Sequence, residues 1–397
     1  MNNYLCGLVF IAEKQTRHII GLMSGTSLDG LDIALCAIEG HGMNTTINLK
    51  EFITIPYPTE VKEKIRKVFA KEKVDFGYLI LLNGWLGKLH GRWIKNCLDN
   101  WNIKPSEVDI IASHGQTVFH NPRILHGIDE FENATFQIGD GDHIAVETGI
   151  ITISDFRQKH VAAGGEGAPL ALCGDYFLFS KKGENRVLLN MGGIANFTFL
   201  PGSLHSTEVV VTDTGPGNTL LDAYTQELFK KDFDEDAILA SMGKVNEALL
   251  STLEDNSFFA AAFPKTTGPE LFNKSYVADA QRRSSATEIS PHDLLATLTR
   301  FSSDTITDAL KKILKPQANY KIYTSGGGAH NPLLIKWIKQ QLPGIDIGTT
   351  NELGIPGDAK EAILFAVLAN ETIMGQSIDF KRKGMPAVTM GKISFPM

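Results

Sequence analysis

A strand, a glycine-rich turn and a second strand occur in that order twice in this chain, and this repeat constrains the fold more than any other feature. The first copy is "RHIIGLM" and "LDIALCAIEG" around residues 24–30, and the second is "NRVLLNMGGIANFTFLPG". A third strand pattern and then alternating helices and strands follow each copy. We therefore predict a duplicated two-domain α/β fold with mixed sheets. The alternative is that two similar hairpins arose by chance.

The remaining patterns set the expected domain boundaries. A chain of 397 residues is long enough for two domains. We assign residues 18–149 to a first domain, to which residues 376–397 return, and residues 150–375 to a second domain. Residues 1–17 are interpreted as an extension outside the fold. Helical patterns cover residues 58–72, 76–101, 217–231, 290–314, 331–342 and 357–375, and shorter strand patterns cover residues 108–117, 149–157 and 319–328.

Charge and composition exclude several classes of function. The formal net charge of −7 argues against broad binding to nucleic acid or to an acidic membrane surface. No apolar run has the length of a bilayer span. The four cysteines lie far apart, which argues against a cysteine metal site and a disulfide scaffold and favours reduced, mostly buried thiols. We expect a cytoplasmic enzyme without a nucleic-acid or membrane partner.

The first glycine turn is longer than a hairpin requires, since a plain hairpin needs about two turn residues. Gly25 and Gly30 allow the backbone to approach a ligand closely, and successive N–H groups in such a turn bind anions. Thr26 and Ser27 add hydroxyl donors for phosphate oxygens. Asp29 or Asp32 is a candidate ligand for magnesium, which prefers oxygen donors and retains water. A long turn without a ligand is the alternative.

The second half carries two more glycine turns and the best catalytic candidate. Gly192 and Gly193 form a second place where backbone meets phosphate, and "SGGGAHNPLL" leads from a strand into a helix, where an adenine or ribose fits. Asp213 follows an apolar strand and precedes a helix, a position at which α/β folds place catalytic groups. In kinases of small hydroxyl compounds an aspartate accepts the proton of the attacking oxygen. Alternatively, Asp213 caps the next helix, although Asn218 can supply that cap.

Polar residues follow two further predicted strands. "SHGQT" follows one strand and "SDFR" follows the next, and Glu361 lies at the start of an apolar helix. We interpret these residues as contacts to sugar hydroxyls and carboxylates, with Arg157 suited to a carboxylate. A structural role is the alternative for His114, because a lone histidine after a buried strand is usually structural.

Taken together, the motifs closely resemble those of 1,6-anhydro-N-acetylmuramic acid kinases, from about Ile19 to Pro396. They are "GLMSGTSLDGLDIAL", "SHGQTVFHNP", "QIGDGDHIA", "SDFR" with "GGEGAPL", "LNMGGIANFTF", "DTGPGNTLLDAY", "PKTTG", "SGGGAHNPLL" and "GDAKEA". The resemblance implies an actin-like, ribonuclease H-like ATPase fold with a central cleft, as in sugar kinases and heat-shock chaperones. It implies ATP and Mg²⁺, and a reaction in which water opens the 1,6-anhydro bridge and O6 is phosphorylated, in peptidoglycan recycling.

The resemblance also implies roles for individual residues. The family's base falls on Asp213, and its ATP loop falls on Gly25, Thr26, Ser27, Leu28, Asp29, Gly30, Leu31 and Asp32. The other candidate nucleotide contacts, which come from the glycine turns themselves, are Gly192, Gly193, Gly326, Gly327, Gly328 and Asn331. The family's substrate-contacting glutamate falls on Glu361. From the residues themselves, the candidate substrate contacts are Ser113, His114, Gln116, Gln137, Asp155 and Arg157, and Asp29 is the candidate metal ligand.

Two positions depart from related proteins. Met23 stands where the broader superfamily usually has an aspartate, and Lys159 stands in a run where related kinases tend to have further arginines. The expected partners are an amino sugar and ATP, and a homodimer is left open. The alternatives are an ATPase switch on the same fold and a kinase for another sugar.

Overall fold

A computed structural model of the protein describes residues 3–167, 170–315, 318–375, 377, 379–381 and 385–397. Ala168 and Pro169 of the "GGEGAPL" motif, and residues 376, 378 and 382–384 of the predicted C-terminal return, lie outside the described residues. The strands are β1 (Thr16–Ser24), β2 (Gly30–Glu39), β3 (Thr46–Pro56), β4 (Ile110–Asn121), β5 (Ala134–Ile138), β6 (Thr152–Ser154), β7 (Asn185–Met191), β8 (Ile194–Leu200), β9 (Val210–Pro216), β10 (Tyr320–Ser325), β11 (Asp346–Thr349) and β12 (Lys392–Ser394). The helices are α1 (Asn3–Glu13), α2 (Thr59–Arg66), α3 (Phe76–Asn100), α4 (Arg123–His126), α5 (Gly141–Thr148), α6 (Phe156–Ala162), α7 (Leu170–Phe179), α8 (Thr219–Phe229), α9 (Ile238–Ser241), α10 (Glu247–Glu254), α11 (Ser257–Ala260), α12 (Lys274–Arg283), α13 (Pro291–Lys311), α14 (Pro332–Gln341) and α15 (Lys360–Met374).

The chain divides into two compact units, and their boundary differs from the predicted one. Unit 1 comprises Met1–Leu178 and Ile355–Met397, and unit 2 comprises Phe179–Gly354. The prediction placed residues 150–178 and 355–375 in the second domain. They belong to unit 1 because β6 pairs parallel to β4 and α15 packs on β1. The predicted return of the C-terminus is seen in β12, which pairs antiparallel to β6.

Unit 1 is built on a mixed sheet with the order β12-β6-β4-β1-β2-β3, and β5 pairs with β4. The strands β1, β2 and β3 form an antiparallel meander, and β4 runs parallel to β1. Gly21 permits the close packing of α15 on β1, since a Cβ atom there would lie 1.8 Å from the carbonyl oxygen of Ala362. The apolar helix α15 is consequently buried from Ala362 to Glu371.

Unit 2 repeats this plan. Its sheet has the order β11-β10-β7-β8-β9, with β7, β8 and β9 in an antiparallel meander and β10 and β11 parallel to β7. The long helix α13 packs near β9, and most of its residues are buried. The common strand order in both units confirms the predicted duplicated α/β fold with mixed sheets.

The N-terminal segment is part of unit 1, contrary to the prediction of an extension outside the fold. Helix α1 contacts α15, and β1 already begins at Thr16. Arg17 is buried, and its guanidinium donates to the side chain of Asn370 at 2.7 Å and to the carbonyl of Gly40 at 2.6 Å. A buried cation needs such acceptors, so the chain before residue 18 is fixed by hydrogen bonding that a local pattern does not reveal.

Membrane-spanning helices and disulfide bonds are two features that the sequence composition does not favour. Among the described residues, no helix is both long enough and apolar enough to cross a membrane. Cys36, Cys97 and Cys173 are buried free thiols, and Cys6 is an exposed one. The absence of a disulfide scaffold in the described part of the chain agrees with the spacing argument.

Candidate active site

The glycine turn of unit 1, residues 25–29, joins β1 to β2, and its residues face in two directions. Thr26, Ser27 and Asp29 are exposed, and a Cβ atom at Gly25 would meet only the Ser27 hydroxyl, at 3.6 Å. In contrast, Leu28 is buried, and a Cβ atom at Gly30 would lie 2.4 Å from the carbonyl oxygen of Ile55. The exposed part of the turn can therefore meet a ligand, whereas Leu28, Gly30 and the buried Leu31 serve the packing of the turn.

Acidic side chains collect beside this turn. Burial raises the pKa of Asp32, the negative charges of Asp358 and Asp29 raise it further, and a 2.6 Å hydrogen bond from the Thr54 hydroxyl opposes the increase. Burial also raises the pKa of Glu361, and the charge of Asp32 contributes. Asp32 therefore lies in a negatively charged environment that a bound cation would stabilise.

A magnesium ion fits this part of unit 1 only with a small number of protein ligands. In the part of the chain that the structure describes, no group of three or more His, Cys, Asp or Glu side chains is arranged to hold a metal ion. Mg²⁺ characteristically retains several waters and binds through one or two carboxylates together with substrate phosphates. Asp29, which is exposed, and Asp32 are suited to that mode.

A second feature of unit 1 is a polar cavity of about 340 Å³ beside the middle of β4 and the end of β6. Four of the predicted substrate residues line it, namely Ser113, His114, Gln137 and Asp155. The hydroxyl of Ser113 and the Oε1 atom of Gln137 are buried without a hydrogen-bond partner among the described residues. Unpaired buried polar groups are costly, so these two are suited to a polar ligand.

Arg157 and His114 form a hydrogen-bonded pair beside the cavity. The Nε atom of Arg157 donates to Nε2 of His114 at 2.9 Å, and its Nη1 atom donates to the carbonyl of Gly167 at 2.6 Å. Burial and, to a smaller extent, the charge of Arg157 lower the pKa of His114 to about 3. The imidazole is therefore neutral at physiological pH, as an acceptor for a guanidinium must be.

Besides Arg157, two predicted substrate residues do not line the cavity. Gln116 is fully buried, and its side chain bonds to Ser24, to the carbonyl of Gly25 and to the carbonyl of Thr117. Glu361 lies at the start of α15, where its side chain reaches solvent although surrounding protein desolvates the carboxylate, and the charge of Arg157 opposes the increase in its pKa. The structure thus separates these residues from the four that line the cavity.

Several residues of this cavity were missed by the sequence analysis. Asp140 caps α5, and Lys392 forms an ion pair with Asp155. The "QIGDGDHIA" motif signalled the region of Asp140, but nothing local signalled β12, whose register with β6 places Lys392 opposite Ser154. The additional lining residues are Asn83, Asp140, Asp142, Lys392 and Ser394, together with Ser154 of the predicted "SDFR" segment.

In unit 2, the predicted glycine turns converge at the end of β7. The carbonyl of Gly192 accepts from the amide of Asn218 at 2.8 Å, and the carbonyl of Gly193 accepts from the amide of Gly217 at 2.9 Å. Gly326 has a φ of +79°, and a Cβ atom there would lie 2.7 Å from Oδ1 of Asn190. Turns from three parts of the sequence therefore form one backbone cradle.

A cavity of about 670 Å³ adjoins this cradle within unit 2. Gly327 and Asn331 line it, and the Asn331 side chain also caps α14 by accepting from the amide of Leu334 at 2.9 Å. Phe233, which is largely exposed, stands among acidic residues at the cavity wall and was not predicted. An aromatic face next to a helix N-terminus is suited to a flat base with an anionic substituent.

Asp213 lies within β9 rather than at its end. Its carboxylate accepts from the backbone amide of Thr267 at 2.8 Å, and its own amide donates to the carbonyl of Lys265 at 3.0 Å. Burial raises the pKa of Asp213, and the bond from Thr267 opposes the increase. The cap position of α8 is Asn218, whose side chain bonds to Met191 instead of to a helix amide. Asp213 therefore does not cap this helix.

Comparison with known proteins identifies the relatives of this chain. Residues 17–384 match the family model described as anhydro-N-acetylmuramic acid kinase. The chain is 54% identical over 400 residues to a protein of that name from Pseudoalteromonas atlantica, covering 100% of both chains, and 50% identical over 399 residues to one from Pseudoalteromonas translucida, again covering 100% of both. It is 39% identical over 392 residues to one from Caldanaerobacter subterraneus subsp. tengcongensis, covering 98% of this chain and 99% of that one.

Proposed function

Because this chain belongs to the anhydro-N-acetylmuramic acid kinase family, we propose that it phosphorylates the 1,6-anhydro form of N-acetylmuramic acid with ATP in cell-wall recycling. Membership makes the chain a phosphotransferase. The comparisons do not favour the ATPase switch or a kinase for another sugar, since the similarity extends over the full length of proteins that carry this name.

The reaction joins a hydrolysis to a phosphoryl transfer. Asp213 takes a proton from a water molecule, and the water oxygen forms a bond to C1 of the sugar. The bond between C1 and O6 breaks, and O6 attacks the γ-phosphorus of ATP, from which ADP departs. A carboxylate whose pKa is raised by burial is a stronger base than an exposed one, which suits the first step.

The remaining residues bind and orient the two substrates. The turn at residues 25–27 of unit 1 offers backbone groups that can bind phosphate oxygens, and within unit 2 the cradle around Gly192 and Gly326 does the same. The cavity beside His114 offers hydrogen-bonding groups to the sugar, with Lys392 as a cation for its lactyl carboxylate. When bound through Asp29 or Asp32, Mg²⁺ would supply charge neutralisation at the phosphate oxygens.

This mechanism depends on the environment of the Asp213 carboxylate. The carboxylate is desolvated and is oriented by one backbone amide, and it does not cap a helix. The test is release of ADP by the purified chain with and without 1,6-anhydro-N-acetylmuramic acid. We expect release that depends on this sugar, and much slower release with N-acetylmuramic acid or a hexose. Equal release without any sugar would identify an ATPase and refute the proposal.

A further inference from the structure

A continuous chain of four buried side chains runs through unit 1 beneath the glycine turn. The hydroxyl of Ser24 lies 2.7 Å from that of Tyr57 and also bonds to Gln116, and the Tyr57 hydroxyl lies 3.0 Å from Nε2 of His90. Each of the four is at most 3% exposed. We refer to Gln116, Ser24, Tyr57 and His90 as the buried relay.

The relay fixes both ends of the turn. The Gln116 amide donates to the carbonyl of Gly25 at 3.1 Å, where the turn begins. The backbone amide of Tyr57 donates to the carbonyl of Asp29 at 2.9 Å, where the turn ends. Between these two points the side chains of Thr26 and Ser27 are exposed, so the relay determines the position of the segment that meets solvent.

The other end of the relay lies under the polar cavity. His90 is fully buried on α3, and a Cβ atom at Gly139, a residue of the cavity wall, would lie 3.7 Å from its Nδ1 atom. Burial lowers the pKa of His90 to about 3 and raises that of Tyr57, so both groups are neutral and act only as hydrogen-bonding groups.

We propose that the buried relay is a positioning device for the turn at residues 25–29, and that Gln116 acts through this turn without contacting the sugar. The inference rests on the proposed function, in which the turn binds the ATP phosphates. All hydrogen-bonding atoms of the Gln116 side chain have partners inside the protein, which leaves none for a substrate. The residue therefore belongs with the nucleotide side of the reaction.

The test separates the KM for ATP from the KM for the sugar. Tyr57→Phe removes one hydroxyl and keeps the backbone amide that holds Asp29, and Gln116→Met removes the donor to Gly25. We expect each to raise the KM for ATP about fivefold to tenfold, the effect of one buried hydrogen bond, and to leave the sugar KM within about twofold. Tyr78→Phe is the matched control, because its hydroxyl bonds only to the carbonyl of Lys64, away from the turn.

Hydrogen exchange supplies a readout that does not depend on turnover. Amides of residues 25–30 should exchange faster in Tyr57→Phe than in the wild type or in Tyr78→Phe. If the wild type shows no sugar-dependent ADP release, the proposed function fails while this exchange result still decides the relay. A raised sugar KM with an unchanged ATP KM in Gln116→Met, or identical exchange in both tyrosine variants, would overturn the proposal.

Discussion

Replacing Asp213 with asparagine should remove the proposed catalytic base without destabilising the fold. Asparagine keeps an oxygen that can accept from the Thr267 amide at 2.8 Å, and it has nearly the same volume. The bond becomes a neutral one, which costs about 1 kcal/mol relative to a bond to a charged group. The variant no longer buries a charge, and that gain opposes the cost. We therefore expect an unfolding free energy close to that of the wild type.

Catalysis should respond very differently. Proton abstraction by a placed side chain contributes about a hundredfold to ten-thousandfold in rate. Here both ring opening and phosphoryl transfer depend on the same proton, so we expect the upper end of this range, a loss of about 5 kcal/mol of transition-state stabilisation. Since burial raises the pKa of Asp213, wild-type kcat/KM should fall as the pH drops through that raised value, because protonation removes the base.

The assay is sugar-dependent ADP release, with nucleotide affinity measured by calorimetry. Asp279→Asn is the matched control, because Asp279 is an exposed aspartate of unit 2 paired with Arg282. In water labelled with ¹⁸O, the wild type should place the label at C1 and leave the phosphate ester oxygen unlabelled. Turnover by Asp213→Asn within tenfold of the wild type, or label in the phosphate ester, would refute the role of Asp213.

Three further predictions concern other parts of the molecule. Gly25→Val and Gly327→Val should still fold, since a Cβ atom meets nothing closer than 3.6 Å at the first position and 3.2 Å at the second. Both variants should bind nucleotide more weakly in calorimetry, because the added side chain occupies space proposed for the ligand. Unchanged affinity in both would contradict this. Gly87→Ala should lower the unfolding free energy by about 1–3 kcal/mol, because its Cβ atom would lie 2.6 Å from the Asp140 carbonyl, whereas Gly7→Ala, in open space, should not. Burial and the charges of neighbouring aspartates raise the pKa of Glu254 from 4.5 to about 7. Between pH 4.5 and about pH 7 the folded state therefore holds a proton that the unfolded state has released. The free energy of unfolding should fall as the pH rises through this range. Glu254→Gln should flatten that part of the stability profile in denaturant titrations, and a profile identical to the wild type would refute the assignment.

The meanders and their glycine turns could be predicted because both are local patterns. Apolar strands interrupted by glycine and hydroxyl residues need no knowledge of distant partners. The domain boundary could not be predicted in this way. It depends on β6, a strand of three residues, and on β12, which joins the sheet from the C-terminus. Such short strands are defined by long-range pairing more than by their own sequence.

The candidate site shows the same limit at the level of residues. Residue type and motif order indicated Ser113 and His114, which line the cavity of unit 1, and Asp213, whose role as the base stays a prediction. Lys392 was missed because its place in the cavity follows from the register of β12. Gln116 was assigned to the sugar because it follows His114 closely in sequence, although its side chain turns inward.

The glycines of "GLMSGTSLDG" show why one motif cannot be read as a single functional unit. A Cβ atom at Gly21 would collide with α15, and one at Gly30 would collide with β3, so both are required for folding. At Gly25 a Cβ atom would meet no backbone within 4 Å, so only there does the missing side chain leave room for a ligand. Loss of activity on replacing Gly21 or Gly30 would thus report on packing. The ligand-binding function of the turn should be assigned from Gly25 and its exposed neighbours Thr26 and Ser27.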